Sequence, residues 1–161
     1  MIRDMRRNGA QPKDTMHKAA VEMVTGMGIV IKDAATVTLP AAEVTENIYV
    51  ATKERIPTGI NAARTDMSDY DPDFVNISVG EYIGLERYTD GEKFATDQFD
   101  VADFGDSVTA GFACGVGADG KWCKAATGSK YIFDGFHNDN GHKLVMIRVE
   151  ADVVKNATTA G

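Results

Sequence analysis

Cysteine is scarce in this chain of 161 residues, where Cys114 and Cys123 accompany only three histidines. A structural zinc site wants four ligands in paired short spacings, and this set does not supply them. No apolar stretch approaches the ~20 residues of a membrane-spanning helix. The N-terminus carries arginines but lacks the apolar core and small-residue cleavage site of a secretory signal. Cation excess is missing too. The net charge is −7, which argues against general nucleic-acid binding. Synthesis and action in a cytoplasm is the simplest expectation. In that compartment the two thiols stay reduced, although a bridge is geometrically conceivable if 117–120 forms a four-residue hairpin loop. The sequons at Asn76 and Asn156 then read as chance.

What is present is a succession of short β-type runs. Gly28-Ile-Val-Ile-Lys32, Thr36-Val-Thr-Leu39 and Asn47-Ile-Tyr-Val-Ala51 are β-branched or aromatic, with turn-forming stretches between them. Three hairpins are expected. Residues 82–88 and 92–99 flank Asp90-Gly91, a dipeptide suited to a two-residue turn, and Arg87 then faces Phe94. Residues 106–114 and 121–125 flank Ala118-Asp119-Gly120. Residues 130–137 and 143–149 flank a turn at Asn140-Gly141. Regular hairpins at this spacing predict an all-β fold, an antiparallel β-barrel or sandwich. A turn or two of helix is conceivable within 16–27. Residues 53–74 form the one long irregular stretch, expected to cap the barrel or to form contact surface. At this length a single domain buries about 70% of its unfolded surface and needs no staples.

Several motifs invite chemistry and fail on inspection. Asp69, Asp71 and Asp73 imitate the opening of a calcium loop, with Asp66 nearby, but Phe74 stands where the glycine is needed and Gly80 where the bidentate glutamate is needed. His137 and His142 bracket a hairpin turn with no nucleophile signature beside them. Gly115-Val-Gly-Ala-Asp-Gly120 resembles a dinucleotide loop but lacks the following helix, so it reads as turn chemistry. Trp122 is a core or interface anchor. No catalytic, cofactor-binding or metal-binding residues are expected.

The feature that survives is a charge contrast. Arg3, Arg6, Arg7, Lys13 and Lys18 against Asp4 and Asp14 give the first twenty residues +3, leaving −10 for the remainder. With no apolar run or period, residues 1–20 read as an extended basic arm that orders on a partner. Residues 21–150 would then form the β-domain and 151–161 a flexible tail. Arg3, Arg6, Arg7, Lys13 and Met16 are the candidate docking residues, because arginine pairs bidentately with carboxylates and methionine packs irregular grooves. On this reading, deleting residues 1–16 leaves the fold intact.

The basic lead-in is followed by Thr25-Gly-Met-Gly-Ile-Val30, Asn47-Ile-Tyr-Val-Ala-Thr-Lys53 and Val79-Gly-Glu-Tyr82. Gly91-Glu-Lys-Phe-Ala-Thr96, Gly105-Asp-Ser-Val108, Asp119-Gly-Lys-Trp122 and Leu144-Val-Met-Ile-Arg-Val149 complete the series. In these features the chain resembles the head decoration, or capsid cement, proteins of tailed bacteriophages. The resemblance implies a β-tulip-like protein on the exterior of a virion capsid. Its partners would be the major capsid protein and further copies of itself, as a homotrimer or a dimer, with no nucleic acid, membrane or cofactor. Two other classes share the β-rich layout: a tail or baseplate component, and a small trimeric nucleotide hydrolase, whose phosphate loops are not found here.

Overall fold

The computed structural model describes residues 1–9, 14–53 and 70–156. Their regular elements are β1 (Ile2–Arg6), β2 (Lys18–Ala19), β3 (Met23–Val24), β4 (Gly28–Ile31), β5 (Thr36–Thr38) and β6 (Tyr49–Thr52). A one-turn helix α1 (Pro72–Val75) follows, then β7 (Asn76–Ile77), β8 (Gly84–Glu86), β9 (Lys93–Thr96), β10 (Cys114–Val116), β11 (Trp122–Lys124), β12 (Gly128–Asp139) and β13 (His142–Lys155). The all-β expectation holds.

The strands divide between two main sheets. One is antiparallel, in the order β1-β9-β13-β12; the other runs β2-β5-β4-β6-β8, with only β2 and β5 parallel. The second sheet is a curled half-barrel. Bridges from Asp14 to Leu85 and from Lys18 to Tyr82 stitch its two edges together. Ile29, Val37, Ala51, Ile77, Ile83 and Leu85 fill its interior. Two short ribbons, β3-β7 and β10-β11, complete the structure.

A second, larger core is aromatic. On β13, Val145, Ile147 and Val149 are buried while Met146 and Arg148 between them are only partly covered, the period-2 pattern of a strand with one face on a core. Against that face sit Phe94, Trp122, Phe133, Tyr88 and Tyr131. Phe94 lies 4.3 Å from Tyr88 and 5.2 Å from Trp122 between ring centroids. Each fully buried large side chain here contributes about 1.5–3 kcal/mol.

One expected hairpin forms as placed, and a second forms around its expected turn with 114–116, not 106–114, as its first arm. At the β12–β13 tip Asn140 and Gly141 both have positive φ, at 53° and 91°, as a two-residue turn matched to strand twist requires. β10 pairs with β11, but in a register that sets Gly115 opposite Cys123 and Cys114 opposite Lys124. The register is therefore shifted by one residue from the one the bridge geometry assumed. Cys114 and Cys123 go to opposite faces of the ribbon, and both thiols are free.

Four expectations are corrected. β8 and β9 do not pair; they belong to different sheets. The Thr89–Glu92 turn is real, with Glu92 N–H donating to Thr89 O at 2.9 Å, but only Gly91 has positive φ (84°). That turn carries the chain from one sheet to the other and closes no hairpin. Residues 16–27 contain β2 and β3 and no helix. Nor are residues 1–9 a detached arm. Ile2–Arg6 is the edge strand β1, with Ile2 opposite Thr96, Arg3 opposite Ala95, Asp4 opposite Phe94 and Arg6 opposite Lys93, and a bulge at Met5. Met1 is 2% exposed. Pairing with a strand distant in sequence supplies the burial that the segment's own composition lacks. Finally, β13 continues to Lys155, so residues 151–155 of the expected tail are strand, with 157–161 outside the described residues. Of the 53–74 stretch, 54–69 lie outside as well.

Candidate contact surface

The sequence singled out Arg3, Arg6, Arg7, Lys13 and Met16 as one docking set, and the structure separates them. Lys13 lies outside the described residues. Along β1, Arg3 turns toward the β12–β13 tip, where its Nε and Nη2 each stand 2.9 Å from Asp139 Oδ2. Tyr70 donates to the same oxygen at 3.1 Å and stacks on His142 with ring centroids 3.7 Å apart. The Arg3 bonds are the main reason the Asp139 carboxyl sits below its ordinary range. Burial, then the Asp139 carboxylate, pushes the Tyr70 phenol up to about 12.

Arg7 lies in a largely buried ionic network. Its Nη2 is 3.1 Å from Glu86 Oε2, its Nη1 3.5 Å from Glu92 Oε2 and its Nε 3.3 Å from Asp4 Oδ1. The guanidinium also lies 4.1 Å from the centre of the Tyr88 ring, a cation–π contact. Glu92 is 0% exposed and accepts from the Asn8 and Thr89 amides at 3.0 and 2.7 Å. Burial alone would raise its carboxyl, but the Thr89 and Asn8 amides and then Arg7 outweigh it, and the net direction is down. The Tyr88 hydroxyl lies 2.6 Å from Asp4 Oδ1 and 3.2 Å from Glu86 Oε2. It has one proton to give, and the shorter bond goes to Asp4. Arg7 thus ties β1 to the end of β8 and to the Thr89–Glu92 turn. The sequence holds no local signal for this: Glu86 stands between Leu85 and Arg87 and Glu92 between Gly91 and Lys93, and the need of a buried carboxylate for a partner cation or donors shows only once the fold has buried them.

Arg6 is exposed and makes no ion pair among the described residues. Met16 is 77% exposed and belongs to a different surface. Residues 17–19 run beside 80–83: Ile83 N–H donates to His17 O at 3.1 Å, Ala19 N–H to Glu81 O at 2.9 Å and Gly80 N–H to Ala19 O at 2.8 Å. This seam leaves Met16, Val79 (62%) and Tyr82 (61%) open to solvent, with Lys18 Nζ 4.8 Å from the Tyr82 ring centre. Val21 is partly open beside them. Exposed apolar groups along one seam, with a cation over the Tyr82 ring, have the composition of a protein contact surface, where aromatic and methionine side chains are enriched. Sequence reasoning placed Met16 on such a surface and missed Val79 and Tyr82.

The remaining candidates are structural. Asp71 caps α1 by accepting from Asp73 N–H at 3.0 Å, and among the described residues no cluster of histidine, cysteine or acidic side chains could hold a metal. Asp66 and Asp69 lie outside them. Trp122 is wholly buried, its indole N–H donating to Gly26 O at 3.3 Å. Gly115 and Gly120 serve the β10–β11 hairpin. His137 and His142 sit at the β12–β13 tip, with His142 engaged on Tyr70. Among the described residues no helix is long and apolar enough to cross a membrane. No family model, curated protein or solved structure matches this chain.

Proposed function

We propose that the chain is a structural protein of a phage virion, a decoration protein that attaches to the outside of the capsid and reinforces joints between major capsid subunits. The observation that carries this reading is the exposed seam formed by Met16, Lys18, Val79 and Tyr82, an apolar patch with a cation in a chain of otherwise acidic balance. It is joined by the resemblance in layout from Val24 to Val149. A cement protein needs only modest affinity per copy, because many copies across a lattice sum to a large effect. Self-association as a trimer or dimer belongs to the same proposal. The docking role moves from the N-terminal arginines to the seam, since Arg3 and Arg7 are committed within the chain.

The test is saturable binding to undecorated heads of the parent phage. The expected result is a fixed ratio to capsid subunits and higher resistance of the heads to heat or osmotic shock, since a ligand selective for the assembled lattice stabilises it. Met16→Ala combined with Tyr82→Ala should weaken attachment without altering the melting temperature. Equal binding to free capsid subunits, or unchanged head survival, would refute the reading.

A further inference from the structure

On the far side of β8 from the seam, a cleft of about 640 Å³ opens between residues 45–47, residues 87–90, the start of β12 and the second half of β13. That volume lies within the range of small-molecule sites. Its floor is apolar and fixed. Tyr131 and Val149 are buried there, and the Tyr131 hydroxyl is anchored on Ile48 O at 3.3 Å. Its outer wall comes from an irregularity in β13. Between the pairs Ser129–Val154 and Tyr131–Val149, β12 advances by one intervening residue and β13 by four. The excess pushes Val153 out beside the cleft, 51% exposed. Bulges of this kind recur where a strand must aim side chains at a site.

The rim carries two acids, Glu46 and Asp90, and two bases, Arg87 and Lys130. All four are exposed, and none has an ion-pair partner among the described residues. Elsewhere the chain pairs such groups readily: Lys93 and Arg148 share Asp134, Lys143 takes Asp106 and Lys53 takes Glu81. Between the rim charges stands Asn47, held at a left-handed φ of 53°, with a side-chain amide that makes no hydrogen bond to the described protein. A non-glycine residue in this conformation is uncommon and marks a place where the backbone is set for a purpose or a turn.

The balance of donors and acceptors names the ligand chemistry. Two positive and two negative charges leave the rim no net charge, so a phosphate would meet Glu46 and Asp90, and a polyamine would meet Arg87 and Lys130. A hydroxyl both donates and accepts, and a polyhydroxylated ring can use carboxylate, amide and cation together while laying its C–H face on Tyr131 and the valines. We propose that this cleft is a saccharide-binding site, with Glu46, Asn47, Arg87 and Lys130 as its polar contacts. The proposal does not depend on capsid attachment.

It is tested on the full chain by following the methyl resonances of Val149 and Val153 during titration. The probes are glucose, galactose, mannose, N-acetylglucosamine and their β-linked disaccharides, with sodium phosphate and glycine as controls. At least one sugar should move both valines saturably, with a dissociation constant on the order of millimolar. Arg87→Ala and Glu46→Gln should each weaken that binding by about tenfold, the loss expected for one charge-assisted hydrogen bond, with the melting temperature unchanged. No movement with any sugar, an equal response to phosphate or glycine, or binding that survives both substitutions overturns the assignment.

Discussion

Replacing Arg7 by alanine should destabilise the fold itself, a result opposite to the one expected of a docking residue on a free arm. In the native protein Glu86 and Glu92 are 4% and 0% exposed, and Arg7 is the cation that stands within 3.5 Å of both. Removing the cation from a buried carboxylate costs roughly 3–5 kcal/mol, and Glu92 loses its cation here. For a domain of this size each kcal/mol lowers the melting temperature by about 2–4 °C, so Arg7→Ala should lower it by roughly 6–20 °C. Arg6→Ala, at an exposed and unpaired position on the same strand, should stay within about 0.5 kcal/mol of the parent. Thermal melts followed by circular dichroism measure both.

The pH dependence supplies a second signature. The Glu92 carboxyl is lowered on folding, so its contribution is fully present above its unfolded value near 4.5 and is lost as pH falls through the folded value. The parent protein should therefore lose stability on acidification below that point. In Arg7→Ala the Glu92 carboxylate, without its cation, is relieved by protonation, and the gap between variant and parent should narrow between neutral pH and pH about 4. An Arg7→Ala melting temperature within about 2 °C of the parent at neutral pH, or a gap that stays constant with pH, refutes the network as a structural lock.

Other outcomes follow from single sites. Gly26 has φ 98°, and a Cβ there would stand 2.5 Å from both Met1 O and Thr96 Oγ1, whereas at Gly141, φ 91°, a Cβ would meet nothing within 4 Å. Gly26→Ala should therefore cost roughly 2–5 kcal/mol from strain and clash together, and Gly141→Ala only the ~1–2 kcal/mol of left-handed strain, a ranking that denaturant melts would reverse if the packing is wrong. Burial first, and then acidic neighbours including Glu43 and Asp103, pushes the half-buried Cys123 thiol up to about 11, while burial raises the enclosed Cys114 further. Native protein should alkylate slowly at Cys123 and at Cys114 only after denaturation, both without reductant; a mass change on reduction would reveal a bridge that the register of β10 and β11 forbids.

The β12–β13 hairpin was legible because its information is local. Alternating apolar residues on both sides of Asn140-Gly141 and a turn requiring two positive φ angles all lie within one stretch of chain. The same reasoning failed at Asp90-Gly91. A turn reverses the chain equally well inside one sheet or between two, and nothing within residues 82–99 reports that β9 will find β1 and β13 as neighbours. Val79 and Tyr82 could not be placed on an exposed seam either, because the partner of that segment, residues 17–19, lies some sixty positions away in a register no local pattern encodes.

The N-terminal misreading has the same origin and a more general physical content. A window of twenty residues carrying +3 and no apolar period looks unable to fold, and by itself it is. Yet the opposite charge it calls for need not belong to another molecule. The rest of the chain holds the complementary −10, and two of the three N-terminal arginines pair there: Arg3 on β1 with Asp139, and Arg7 just past it with Glu86 and Glu92. Charge contrast along a sequence therefore identifies a pair of surfaces that attract, without saying whether they meet within one chain or between two. What decided it was the acidic side, where the fold buries Glu86 and Glu92. Exposed acids would have tolerated a distant or absent partner; buried ones required a cation at contact distance, and a basic strand of the same chain was the nearest supply.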